Sequence, residues 1–188
     1  MPEQEHPATV LVVDDEREIA DLYAAALDSE YAVQPAYGGK EALELLRHEP
    51  DVLLLDRRMP GLSGDDVLKE IRAQGVDVQV AFVSAIPPDF DLIGMEFDEY
   101  LLKPVGPREL HQTVARLLLK KEVKAKRVEL RSKRLTRNVL QTEMADKQLT
   151  ESTKFKELHT RIECLESEIS ELELELDKNP ARTMTPRR

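Results

Sequence analysis

The stretch DVLLLDRRMPG, Asp51–Gly61, holds an apolar run, Val52–Leu55, that ends in a single acid, Asp56, with a Pro-Gly turn four residues later. A run with no polar alternation suits a strand covered on both faces, which is the pattern of a central strand in a parallel sheet. In open parallel sheets the chemistry collects beyond the carboxyl ends of the strands. Asp56 is predicted to stand at such an end. A lone Asp there also has a plain explanation, because Asp commonly closes a strand by bonding its own turn backbone. Three further strand ends of the same polar kind shift the balance toward a site.

Working outward, Thr9–Val13 is a β-branched run ending on Asp14-Asp15, and Glu18 follows Asp15 by three positions, the spacing of an N-cap with its reciprocal acid. A helix is expected through Ser29, with Ile19, Leu22, Tyr23, Ala26 and Leu27 at helical spacing. Tyr31–Ala36 reads as a less apolar strand nearer an edge. A second helix over Ala42–Leu46 stops at Pro50, and a third begins at Ser63 and ends at Gly75. Val78–Val83 is a fourth strand with Ser84 at its end. Pro87-Pro88 restricts the next helix to a short one, Asp89–Met95, and Tyr100–Leu102 is a fifth strand ending on Lys103-Pro104. Gly106 and Pro107 look like the start of a last helix carrying Leu110, Val114, Leu117 and Leu118. Five strands alternating with helices predict an α/β fold, a doubly wound parallel sheet. Asp14, Asp15, Asp56, Ser84 and Lys103 then converge on one rim.

Three carboxylates on one rim repel each other unless a cation sits among them. Oxygen donors with room for water describe a Mg²⁺ site. Asp56 is also a candidate nucleophile toward phosphorus, with Lys103 to neutralise the charge on the transferred group and Ser84 to donate a hydrogen bond to it.

At this point residues 8–119 resemble the receiver domain of two-component response regulators, through VLVVDDE, LLLDRRMPGLSG, VAFVSA and YLLKP. The resemblance implies a flavodoxin-like sheet of order 2-1-3-4-5, with Asp56 as phosphoacceptor supplied by a histidine kinase. It further implies that Asp14, Asp15, Asp56 and the main-chain carbonyl of Arg58 bind Mg²⁺, that Ser84 and Lys103 contact the phosphoryl group, and that Ser84 and Tyr100 form a switch pair. The Lys103-Pro104 bond is commonly cis in that family. Without the resemblance, Tyr100 is simply a half-buried strand aromatic. The interval from Ser84 to Lys103 is shorter than the family's, and Pro87-Pro88 stiffens the loop, so a departure is expected around the usual output surface.

Charge divides the chain near residue 119. Residues 1–119 hold 24 acidic and 10 basic side chains, a net of −14, whereas the chain as a whole carries −10. Residues 120–178 form the expected charged helical segment, and residues 179–188 a disordered tail. Within that segment 120–137 has nine basic and two acidic residues, enough to consider nucleic-acid phosphates. It lacks stacking aromatics and a glycine turn between helices, so no helix-turn-helix is supported. Phe155, Leu158, Ile162, Leu165, Ile169, Leu172 and Leu176 alternate steps of three and four, a heptad seam. This seam fits a coiled-coil pairing of 155–176 with a second copy or another regulator. The seven acids of Glu163–Asp177 fit equally a hairpin against the basic run within one chain. A receiver followed by such a segment resembles the HalX-type response regulators of salt-loving archaea, to which DRRMPGLSGD and PDFD also point.

Cys164 is the only cysteine, which fits a reducing compartment, and no signal core or membrane span is visible. A cytoplasmic signalling protein is expected, not an enzyme, acting through a C-terminal protein-interaction module. The alternative is a DNA-binding transcriptional regulator using 120–137. Haloacid-dehalogenase-type phosphatases also form an aspartyl phosphate, but their two acids lie two residues apart after the first strand, unlike the adjacent Asp14-Asp15.

Overall fold

The computed structural model describes residues 7–179, and the chain divides into two compact units, Met1–Leu118 and Leu119–Arg188. In the first, strands β1 (Thr9–Val13), β2 (Ala32–Ala36), β3 (Val52–Leu55), β4 (Gln79–Ser84) and β5 (Glu99–Leu102) form one parallel sheet in the order β2-β1-β3-β4-β5. Helices α1 (Arg17–Leu27), α2 (Gly39–Leu45), α3 (Gly64–Ala73) and the start of α4 (Pro107–Glu143) connect or follow the strands.

Side-chain alternation along the central strands fills both faces. Leu11, Val13, Leu53, Leu55, Val80 and Phe82 meet Val67, Leu68 and Ile71 of α3 and Ala42 of α2. Val10, Val12, Val52, Leu54, Ala81 and Val83 meet Tyr23 and Leu27 of α1 and Leu110, Val114 and Leu117 of α4. With every residue of β3 and β4 buried, the continuous apolar runs have their cause in two-sided covering. The edge strand β2 alternates exposed and half-buried positions up to the buried Ala36 and tolerates Pro35.

Two local expectations are corrected. Asp15 does not cap α1: the N-cap is Glu16, with no side-chain cap, and it is Asp14 whose Oδ1 accepts from the Glu16 amide at 3.0 Å. The short helix expected over Asp89–Met95 is a single 3-10 turn, Phe90–Leu92. The two prolines before it and Gly94, at φ 85°, leave no room for a second turn. Ser63 does cap α3, accepting from the Asp66 amide.

The second unit is a helical hairpin made by the distal part of α4, a short α5 (Asp146–Glu151) and α6 (Thr153–Lys178). Ile162, Leu165 and Ile169 of the heptad seam, with Leu158, Leu172 and Leu176 beside them, pack on Val123 and Leu130 of α4. Lys126–Glu168, Arg127–Glu173, Arg134–Glu166 and Arg161–Glu129 join the two helices in opposite order, which makes them antiparallel. The Cys164 thiol, Lys126 and Arg161 all reach Glu168, and together they hold its carboxyl down to about 2. The seam that fits a second copy is therefore covered by the chain's own basic helix. Of the tail expected over 179–188, Asn179 ends α6, and 180–188 lie outside the described residues. No helix among the described residues is long and apolar enough to cross a membrane.

Gly64 opens α3 against the turn that follows β3, where an added Cβ would lie 2.2 Å from the Asp56 carbonyl oxygen and 2.9 Å from Arg57 Cα. Both neighbours are backbone and cannot yield. Gly64→Ala is expected to destabilise the first unit by about 1–3 kcal/mol in chemical denaturation. In the hairpin, Leu165 is fully buried while Leu174 is 58% exposed. Leu165→Ala is expected to lose about 2–5 kcal/mol of hairpin protection in hydrogen exchange, and Leu174→Ala to leave it nearly unchanged.

Candidate functional site

The register of the sheet gathers four strand ends on one rim: Val13 pairs with Leu55 and Leu55 with Phe82, and β4 and β5 run two residues further, to the pair Ser84 and Leu102. The next residues inherit that alignment. The Asp56 amide donates to the Val13 carbonyl at 2.8 Å and the Lys103 amide to the Ser84 carbonyl at 2.8 Å. Strand pairing thus continues one step into the polar residues and fixes their backbones before any side-chain contact is made.

Lys103 is the centre of the resulting knot. Its Nζ lies 2.6 Å from Asp14 Oδ2 and 3.1 Å from Asp56 Oδ1. The second Asp56 oxygen accepts from the Arg58 amide at 3.1 Å. Asp14 and Asp56 are buried, 2% and 5% exposed, and Ser84 is fully buried. Burial pushes the Asp56 carboxyl above its usual range, with Asp14 adding to the rise and Lys103 opposing it. Burial works in the other direction on the Lys103 ammonium, but the Asp14 and Asp56 carboxylates outweigh it and hold it above the usual lysine value.

Asp15 completes an acidic group in which ligand oxygens of Asp14, Asp15 and Asp56 lie within 4.8 Å of one another. Three carboxylates face one ammonium, so the pocket retains an excess of negative charge among hard oxygen donors, part of it open to water. That donor set fits Mg²⁺, which takes a few carboxylates and keeps several waters. The carbonyl of Arg58 belongs to the same turn, and the Lys103-Pro104 bond that follows the lysine is cis.

Ser84 and Tyr100 meet at one residue. Ser84 Oγ accepts from the Ile86 amide at 3.2 Å, while the Tyr100 hydroxyl donates to the Ile86 carbonyl at 2.7 Å. The Tyr100 ring lies 6.0 Å from that of Phe82 and 6.2 Å from that of Phe97.

Arg57 is the residue that sequence reading passes over. Its side chain is 1% exposed and pairs with both Asp65 and Asp91. In Asp56-Arg57-Arg58 two adjacent arginines follow an acid and read as a solvated turn. No local signal marks it, since its partners Asp65 and Asp91 lie 8 and 34 residues away and Lys69, four residues after Asp65, is the nearer cation in sequence.

The raised Asp56 carboxyl gives a sign for stability. A folded-state value above that of the unfolded chain means that its contribution is most favourable below the ordinary value of 3.8 and is lost as pH rises through the folded value. Asp56→Asn, which keeps the shape and removes the buried charge, is expected to raise Tm at pH 7–8 in EDTA by a few degrees, the scale of about 1 kcal/mol. Thermal unfolding followed by circular dichroism should show the gain shrinking as pH falls toward 4.

Comparison with known proteins agrees with this geometry. Residues 10–115 match the model for the response regulator receiver domain, and residues 126–183 that for the HalX domain. A Haloferax volcanii protein named "Putative transcriptional regulator" is 53% identical over 112 residues, which is 59% of this chain but 19% of that protein. The Staphylococcus aureus response regulator SaeR is 35% identical over 113 residues, 58% of this chain and 50% of SaeR. The chain therefore spans half or less of the length of these curated relatives. Among solved structures, the receiver domain of the Francisella response regulator 1452 superposes with a TM-score of 0.55 at 33% identity, covering 60% of this chain and 97% of that one. The Vibrio cholerae chemotaxis protein CheY4 gives a TM-score of 0.56 at 28% identity, over 60% of this chain and 99% of that one. With a receiver model matched over more than half its residues and an acidic pocket at the strand ends, this chain belongs to the response regulator receiver family and carries a HalX domain after the receiver.

Proposed function

We propose that the protein takes a phosphoryl group from a histidine kinase onto Asp56 and uses it to switch its C-terminal helical unit between interactions with other proteins. The observation that carries the reading is the Lys103 ammonium shared between Asp14 and Asp56 in a pocket with surplus carboxylate. Such a pocket is arranged to receive one cation and one anion at the same spot.

Asp14, Asp15, Asp56 and the Arg58 carbonyl would hold Mg²⁺, which when bound supplies positive charge to the oxygens of the transferring group. An Asp56 carboxylate oxygen attacks phosphorus, the phosphorus–nitrogen bond to the kinase histidine breaks, and the imidazole leaves with the electron pair. Lys103 stays ionised at neutral pH because of its two carboxylate neighbours, so its charge is in place before the phosphoryl group arrives. The Arg58 amide, bonded to Asp56 Oδ2, restrains rotation of the carboxylate and so presents it in one orientation. Ser84, fully buried at the end of β4, accepts from the Ile86 amide and would donate its hydroxyl hydrogen to a phosphoryl oxygen, and Tyr100 shares that same Ile86 anchor.

A second reading, DNA binding through 120–137, is favoured by the name of the Haloferax relative and by the local charge. Against it, Lys126, Arg127 and Arg134 are already paired with acids of α6. Exposed Val128, Leu135 and Val139 on α4 suit a protein partner better than a phosphate backbone.

Incubation with acetyl phosphate and Mg²⁺ is expected to add one phosphoryl group by intact-mass spectrometry, absent from Asp56→Asn and abolished by EDTA. Addition that persists in Asp56→Asn would refute the assignment. In a mobility-shift titration across salt, no retardation of duplex DNA is expected with or without phosphorylation.

A further inference from the structure

The connection between β4 and β5 is pinned to the body of the receiver at two points, and the residues that pin it surround the proposed phosphoacceptor. At Ile86 the amide is held by Ser84 and the carbonyl by Tyr100. Five residues on, past Pro87-Pro88, Asp91 in the 3-10 turn is held by Arg57 through Nη2. The same guanidinium binds both oxygens of Asp65 at the start of α3, Nε–Oδ1 2.8 Å and Nη2–Oδ2 3.1 Å.

Resting on the receiver reading above, we infer that Arg57 is a positioning residue of the switch, tethering through Asp91 the connection whose Ile86 anchors both Ser84 and Tyr100, and so favouring the conformation that binds a phosphoryl group at Asp56. The two acids have separate tasks. Asp65 is well covered, at 20% side-chain exposure, and accepts the planar fork of the guanidinium on both oxygens, which fixes Arg57 to α3. Asp91 is 47% exposed and belongs to the segment that Tyr100 must share space with. Its carboxylate turns one end of a fixed cation into a tether for the connection, and so steadies the Ile86 carbonyl to which the Tyr100 hydroxyl donates. Lysine, with a single nitrogen and no fork, cannot serve both oxygens of Asp65 and Asp91 from one position.

A tether that favours one conformer must appear as a coupling free energy between Asp91 and ligand binding at Asp56, transmitted through Tyr100. Removal of Asp91 from a half-exposed position leaves Asp65 to neutralise Arg57, so the fold survives. Beryllofluoride with Mg²⁺, a phosphoryl mimic that forms on the carboxylate, is the probe, titrated by calorimetry into the full chain and its variants. Asp91→Ala is expected to weaken binding about five-fold or more, and Arg57→Lys to do the same. In a Tyr100→Phe background Asp91→Ala is expected to change binding less than two-fold, because the hydroxyl that the tether positions is gone. Fluorine NMR on protein labelled with 3-fluorotyrosine, in which the Tyr100 signal is the one lost in Tyr100→Phe, should show that signal shifting in Asp91→Ala without ligand.

Equal weakening by Asp91→Ala in both backgrounds, or no weakening with an unmoved Tyr100 signal, overturns the inference while leaving the receiver reading intact. Failure of the unsubstituted chain to bind beryllofluoride overturns both.

Discussion

The receiver unit depends on one electrostatic settlement: a lysine at the end of an outer strand reaches across the sheet to two acids that end two inner ones. Remove the ammonium and Asp14 and Asp56, both buried, face each other without a counter-charge, an arrangement that low-dielectric surroundings make strongly unfavourable. The sheet order makes the settlement possible. Because β1 and β3 are neighbours, Asp14 and Asp56 emerge side by side, and because β4 and β5 continue the same parallel register, Ser84 emerges one residue and Lys103 two residues further along the same rim. Packing on both faces locks that register, since slipping any central strand by one residue would exchange the side chains belonging to the two cores.

How far this was legible varies with how local the signal is. Strand ends are visible in a sequence because apolar runs stop abruptly, so Asp14, Asp56, Ser84 and Lys103 stand out and their convergence follows from parallel topology. Helix starts are less secure. Asp15 and Glu18 have capping spacing, yet Glu16 occupies the cap while Asp15 joins the acidic group. Spacing identifies residues able to cap; it does not register the competing pull of a site. Residues 89–95 failed for another reason. Their composition permits a helix, but the prolines before and the positive-φ glycine after allow only one 3-10 turn. Arg57 was invisible because its meaning lies in partners 8 and 34 residues away, a separation that no periodicity encodes.

The C-terminal unit shows an ambiguity of a different kind. A heptad seam states that a helix needs an apolar partner and says nothing about whose helix supplies it. Here α4 offers Val123 and Leu130 to the seam, three of its bases meet acids of α6, and its Glu129 meets Arg161 of α6. Individually these exposed pairs contribute little. Their collective effect is on choice of partner: an acidic helix laid along a basic one is favoured, while two acidic helices side by side are not. Salt reduces that preference without touching the buried seam, so the apolar contacts set the stability of the hairpin and the charges its pairing.

The same distinction between stability and choice applies inside the receiver. Buried ion pairs gain little net energy over well-packed apolar groups, but breaking one from a single side is costly because the remaining charge is stranded. Glu99 with Arg116, joined by two hydrogen bonds and both nearly buried, is of this kind, and so is Arg57 with Asp65. Asp56 differs from all of these. It is buried, its ionised form is disfavoured by that burial, and the one cation that relieves it is divided with Asp14. An under-neutralised carboxylate is a poor choice for stability and a good one for accepting charge-balanced ligands, because each incoming positive charge removes a penalty that the fold already carries. On the proposed function, the unfavourable burial of Asp56 would be the physical source of the pocket's affinity for a cation and, through the cation, for the phosphoryl group.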